Sequence, residues 1–222
     1  MVELVGNRVV YQEDAVAWLE REGEVPGRSF VASLPDYSEF PSLTLSEWRA
    51  WFEKAAAHVL RACPPEGAAI FYQRDIKVDG EWVDKAFLIQ KAAERAGHRQ
   101  LWHKVVARVP AGNIIFGKPG YSHLLAFSRG LKADPAFSTR DILPAAGKSS
   151  WPRGMGLDVC RPVCEFILKR TDTRTLVAPF CGEGALLAVA NKLGLDAIGI
   201  ELSRKRAERA REISLSSMRA EL

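Results

Sequence analysis

The stretch that decides the fold is TLVAPFCGEGALLAVANKLGLDAIGIEL, Thr175 to Leu202. It reads as a strand (Thr175 to Ala178), a Gly-x-Gly turn, a helix (Gly184 to Leu193), a second strand (Asp196 to Ile200) and then an acid, Glu201. Each part suits a nucleotide-type cofactor. Gly182 and Gly184 allow backbone to approach a ligand closely. The helix start offers unpaired N–H groups, and an acid at the end of the next strand can accept both ribose hydroxyls. A dinucleotide also needs a small residue three positions after the second glycine. That position is Leu187, which argues against NAD and FAD. S-adenosylmethionine has no pyrophosphate and needs only the first two glycines.

One β-α-β-α unit cannot close a sheet, so the remaining strands must come from upstream. Val9 to Tyr11, Ser29 to Leu34, Ala68 to Tyr72, Gln100 to Val109 and Ser122 to Ser128 have strand patterns. Helical periodicity covers Asp14 to Glu22, Leu45 to Ala62 and residues 84–96, the second opened by the capping box Thr44-x-x-Glu47. This alternation predicts a mostly parallel sheet with helices on both faces. Residues 131–153 are rich in breakers and read as a surface connection. A helix follows over Gly156 to Arg170, and a last one over Ser203 to Ile213, where alternating charges predict a solvated helix with i,i+4 pairs. The expectation is one α/β domain with a catalytic half (1–130), a connection (131–153) and a cofactor half (154–222). That order is a circular permutation of the usual one.

Composition limits the remaining classes. Of 222 residues, 47% are hydrophobic and 26% charged, which suits a folded soluble chain. No apolar run reaches the ~18 residues of a membrane span, and the acid-containing start MVELVGNRVVYQEDA lacks a signal core, so the expected compartment is the cytoplasm. Cys63, Cys160, Cys164 and Cys181 lack the paired spacing of a zinc site and read as reduced core thiols; no metal is expected. The net charge of +4 permits a nucleic-acid partner.

The segment APFCGEGALLAVANKLGLDAIGIELSRKRAERAREI resembles the C-terminal part of circularly permuted amino-methyltransferases, the β-class DNA N6-adenine and N4-cytosine enzymes and their RNA-acting relatives. Pro179, Phe180, Gly182, Gly184, Gly199, Ile200 and Glu201 match the family, while Ala178 stands where it usually has an acid. NRVVYQEDAVAWL resembles the family's opening strand, Gly-Asp and short helix; Asp14 matches the acid near the adenine, with Glu13 as a competing candidate. GMGLDVCRPVCEFIL matches the helix touching the methionine end, and its Met155 to Asp158 turn is the candidate contact, without the usual lysine-proline pair. The resemblance implies a doubly wound, seven-stranded Rossmann-like sheet, circularly permuted, with the last strand antiparallel. It also implies S-adenosylmethionine as cofactor, held by Met155, Asp158, Ala178, Pro179, Phe180, Cys181, Gly182, Gly184, Glu201 and Leu202 with Asp14 or Glu13.

The family's catalytic tetrapeptide is Asp/Asn/Ser-Pro-Pro-aromatic, whose first side chain and a backbone carbonyl orient an amine while the aromatic stacks on the flipped base. Ser33-Leu34-Pro35-Asp36-Tyr37 occupies the matching place. In one reading Ser33 orients the amine and Tyr37 stacks. In the other Asp36 accepts a proton. A third is a plain Pro-Asp turn in a catalytically silent cofactor-binding subunit. GYSHLLAFSRG resembles the family's last hairpin, which makes Tyr121 and His123 substrate candidates; Arg74 and Lys77, at the ligand end of the third strand, are candidate phosphate contacts. The connection 131–153 is too short for a recognition domain. The substrate must then bring its own shape or a partner subunit or second copy must read it, and RNA ranks above DNA, with a protein or small-molecule amine third.

Overall fold

Alternate side chains of the strand Ala69–Gln73 enter different cores. Ala69 and Phe71 pack on one side and Ile70 and Tyr72 on the other, as a strand covered on both faces requires. The computed structural model describes residues 6–151 and 153–216. In chain order the first elements are β1 (Arg8–Tyr11), α1 (Ala15–Glu22), β2 (Arg28–Ala32), α2 (Leu45–Ala62) and β3 (Ala69–Gln73). Next come β4 (Ile76–Val78), β5 (Glu81–Val83), α3 (Lys85–Arg95), β6 (Arg99–Ala107), β7 (Tyr121–Ser128) and β8 (Ile142–Leu143). The last are α4 (Leu157–Arg170), β9 (Thr175–Pro179), α5 (Ala185–Lys192), β10 (Asp196–Ile200) and α6 (Arg204–Glu212).

The main sheet has the order β1-β10-β9-β2-β3-β7-β6-β8. The late strands β9 and β10 therefore fill the gap between β1 and β2. Neighbours from β1 to β3 are parallel, and β7 alone runs against its neighbours β3 and β6. The α/β doubly wound class expected from the sequence holds. The strand count is eight, because the predicted connection contributes β8, a two-residue strand on the outer edge of β6. Leu143 anchors it in the core. A separate hairpin, β4–β5, was not anticipated. Its Asp79-Gly80 turn has φ of 49° and 82°, the double positive φ of a type I′ hairpin turn.

Helices α1, α2 and α3 cover one face with Trp18, Trp48, Phe52 and Ile89, and α4, α5 and α6 cover the other with Val159, Ile167, Leu187 and Ala207. The sheet is thus enclosed on both sides, and ligand access is confined to its edges and strand ends. Truncating fully buried Phe71 to Ala should cost about 3–5 kcal/mol.

Candidate active site

From β9 the sheet continues to β10 on one side and to β2 on the other. Such a reversal leaves a crevice outside the carboxyl ends of the two strands. A cleft of about 750 Å³ opens there, and the turns after both strands line it.

The turn after β9 is tightly wound. Phe180, Gly182 and Gly184 have φ of 62°, 58° and 81°. A bulky residue in the left-handed region costs about 1–3 kcal/mol; Phe180 is held there with its ring edge-on to Trp51 at 6.3 Å. Gly182 N donates to Glu201 Oε2 at 3.1 Å, and Ser203 N donates to Oε1 at 2.9 Å. Arg206 pairs with Oε1 at 2.9 Å. The buried Glu201 carboxylate is thereby fixed, and Oε2 retains a lone pair toward the cleft it lines.

The two glycines serve different neighbours. A Cβ on Gly182 would lie 3.1 Å from the Trp151 indole nitrogen, and one on Gly184 would lie 2.9 Å from Ala210 of α6. A side chain at Gly184 would thus collide with α6. Leu187 is accommodated from the opposite side, since a Cβ on Gly199 of β10 would lie 2.6 Å from its Cδ1. The close helix–strand approach that dinucleotide folds obtain with a small helix residue comes here from a glycine on the strand.

The turn after β2 is anchored by a residue the sequence reading missed. Lys85, 3% exposed in its side chain, places Nζ 2.9 Å from Asp36 Oδ1. Its ammonium also lies 5.5 Å from the Trp48 ring centroid and 5.9 Å from that of Phe52. Burial lowers the Lys85 pKa, and Asp36 opposes that shift. Asp36 further accepts from Tyr37 N and forms a capping box with Glu39. Ser33 Oγ, which lines the cleft, has no hydrogen-bond partner among the described residues. Tyr37 is braced edge-on against Trp48 at 6.0 Å. No sequence motif announces Lys85; it is one charge at the start of an ordinary helix.

Ser33, Pro35, Asp36, Tyr37, Asp14, Met155, Ala178, Phe180, Cys181, Gly182, Gly184, Glu201, Leu202, Arg74 and Lys77 all line this one cleft. Asp14 also caps α1 by accepting from Ala17 N at 2.8 Å. Arg74 donates through Nε to Pro119 O at 2.8 Å, so its guanidinium fastens the β6–β7 loop. Cys181 is a poor nucleophile, because burial and the nearby Glu201 push its thiol up to about 12.

Five sequence candidates fall outside the lining. Glu13 is turned to the surface, paired with Arg21 at 2.7 Å. Pro179 is the buried last residue of β9. Asp158 belongs to the first turn of α4 and faces a second cavity beneath the 136–145 segment. Tyr121 and His123 share the face of β7 opposite to Ser122, and Ser122 is the one that reaches the cleft. His123 is buried between Asp75 (Nε2 to Oδ2, 3.0 Å) and His103 (Nδ1 to Nε2, 3.0 Å).

Burial pushes Asp75 up, but hydrogen bonds from His123, Lys85 N and Trp82 outweigh it and hold the carboxyl below its ordinary value. Asp75, Asp84 and His123 bring ligand-type atoms together, yet Asp75 is occupied by these donors and Asp84 caps α3 through Phe87 N. Arg206 and Trp151 were also missed. The guanidinium lies 5.2 Å from the Trp151 ring centroid, so α6 sends one arginine into the cleft while Arg204 and Glu208 make the expected i,i+4 pair. Arg153 of the connection reaches Glu39 beside the Ser33–Tyr37 turn at 3.4 Å.

No family model and no curated protein matches this sequence. Solved structures do match it. A putative DNA modification methylase from Thermus thermophilus, TTHA0409, is 20% identical with a TM-score of 0.69, covering 94% of each chain; its complex with S-adenosyl-L-methionine scores 0.68 at 18% identity, covering 93% of each. The PvuII cytosine-N4-specific DNA methyltransferase is 16% identical with a TM-score of 0.70, covering 97% of this chain and 91% of that one. The M1.HpyAVI–SAM complex is 15% identical with a TM-score of 0.61, covering 92% and 98%. Over more than nine-tenths of its length, this chain has the fold of these methyltransferases.

Proposed function

We propose that this protein transfers a methyl group from S-adenosylmethionine to an amino nitrogen of a nucleic-acid base. The observation that carries the reading is the convergence of the glycine turn with Glu201 and the Ser33–Tyr37 turn on one cleft at the strand-order reversal. The cleft residues fit the cofactor. Glu201 is pre-oriented with accepting capacity left for ribose hydroxyls, and Gly182 exposes bare backbone. Asp14 stands at the end of β1 where the family resemblance puts the adenine, and Met155 with Phe180 provides an apolar wall. In the same reading the chain order is a permuted one, with the catalytic half first.

Bound S-adenosylmethionine supplies an electrophilic methyl group, which the amine nitrogen takes as the sulfur leaves. The chain's own part is to place that nitrogen and receive its proton. Ser33 Oγ, without a partner among the described residues, accepts from the amine and points its lone pair toward the methyl donor. Tyr37 stacks on the base. Asp36, held by Lys85, fixes the turn, and its carboxylate is the candidate acceptor for the proton.

The short 131–153 connection leaves no room for a recognition domain, which points toward RNA. TTHA0409, described as a putative DNA modification methylase, is equally compact, since this chain covers 94% of it. Compactness therefore does not select RNA, and DNA becomes the first substrate to try. Transfer of a tritiated methyl group into unmethylated genomic DNA, tRNA and rRNA, followed by nucleoside analysis, tests the reading. Label in a methylated base supports it. Label in none of the three, with S-adenosylhomocysteine still bound, overturns it.

A further inference from the structure

Two buried polar side chains in the cleft wall are unsatisfied. Gln73 is 3% exposed and Ser122 is 1% exposed, and neither Gln73 Nε2 nor Ser122 Oγ has a hydrogen-bond partner among the described residues. Both line the cleft. Leaving such groups unpaired is costly, and native structures rarely do so without a ligand or a function. Their location is specific. In the β2–β3 ladder Ala32 pairs with Phe71, so Gln73 lies two residues beyond, level with the start of the Ser33–Tyr37 turn. Across the other ladder Gln73 pairs with His123, the neighbour of Ser122.

We infer that Gln73 and Ser122 form the subsite that hydrogen-bonds the polar edge of the target base. This rests on the proposed function and assigns the residues that read the base. By a turn of its side chain the Gln73 amide can offer Nε2 to an acceptor on the ligand, a ring nitrogen or carbonyl beside the reacting amine. The Ser122 hydroxyl can donate or accept at a second atom. The neighbouring polar groups are already committed. Asp75 is held by His123, Trp82 and Lys85 N, and Arg74 by Pro119 O. Gln73 and Ser122 are therefore free to serve the base, whereas those side chains serve the fold.

A base-binding role and a structural role for Gln73 differ in what its loss does to stability. Removing an unsatisfied amide should leave stability unchanged or raise it while impairing transfer. With the nucleic acid that wild-type protein labels, Gln73→Leu should lower kcat/KM by roughly 10- to 100-fold, and Ser122→Ala by less, as expected when a buried partner on the ligand loses its bond. Gln73→Glu, which replaces the donor with a carboxylate, should be at least as impaired as Gln73→Leu. S-adenosylhomocysteine affinity should stay at the wild-type value in all three, and the Gln73→Leu unfolding midpoint should not fall. Wild-type kcat/KM in Gln73→Leu and Ser122→Ala overturns the subsite but leaves the methyltransferase reading standing. A drop in kcat/KM that tracks a lower unfolding midpoint also overturns it, since the residues would then be structural. If wild-type protein labels no nucleic acid, the function and the subsite fall together.

Discussion

The two turns that face each other across the cleft are built in opposite ways. The glycine turn after β9 is wired within one local unit. Its glycines, its acid and that acid's partners Gly182 N, Ser203 N and Arg206 all come from residues 182–206. The Ser33–Tyr37 turn depends on distant parts of the chain, since Lys85 is 49 positions from Asp36 and lies against Trp48 and Phe52 of α2. A turn wired by its own neighbours can be recognised as a motif. A turn held from afar can diverge in sequence, because a buried lysine now maintains its geometry.

The sharpest way to break the comparison is to damage one turn and read both. Ser33→Ala and Asp36→Ala should each reduce methyl transfer about 100-fold or more, the lower end of general acid–base and positioning effects. Calorimetric affinity for S-adenosylhomocysteine should be nearly unchanged. Equal loss of both readouts would show that the turns are one unit.

The reciprocal experiment is Glu201→Ala. It should weaken S-adenosylhomocysteine by roughly 1.5–3 kcal/mol, the scale of hydrogen bonds to a charged group. Affinity unchanged from wild type would remove Glu201 from the ribose.

A smaller effect separates the two members of the Asp36–Lys85 pair. Asp36→Asn leaves a buried ammonium without its counter-charge, whereas Lys85→Met leaves a carboxylate that is 37% exposed and can be hydrated. Asp36→Asn should therefore be the less stable variant at neutral pH. Burial already depresses the Lys85 pKa, and loss of Asp36 depresses it further. Between the lowered native value and the ordinary lysine value of 10.5 the unfolded chain then binds more protons than the native one, so stability rises with pH through that window. Urea unfolding should show Asp36→Asn gaining on Lys85→Met as pH increases from neutrality. A constant gap would mean that Lys85 is not the residue strained by the substitution.

The smallest effect concerns reactivity. With its thiol pushed up to about 12, Cys181 should react with a neutral-pH thiol reagent far more slowly than it does in urea. S-adenosylhomocysteine should slow it further, because Cys181 lines the cleft. Rapid labelling of the native protein would contradict the tight packing of the cofactor turn.

Much of this was determined by local sequence. Period-two and period-3.6 patterns, the Thr44 capping box and the Gly-x-Gly turn depend on residues close in the chain, so the strands, helices and cofactor turn were legible. The Asp79-Gly80 hairpin was legible by the same rule and was overlooked. That the late strands complete a sheet begun upstream followed from the need to close it, while their place between β1 and β2 was set by the tertiary structure. Tertiary structure alone decided the rest. It set Lys85 against Asp36, turned Arg206 into the cleft, and gave Gly184 to α6 and Gly199 to Leu187. It also decided which strand residues face the ligand, choosing Ser122 over Tyr121 and His123 and leaving the Gln73 amide nitrogen without a partner among the described residues. Local patterns name the element a residue occupies. Which neighbour meets its side chain depends on the register and packing of elements far apart in sequence, and burial then makes each such meeting energetically decisive.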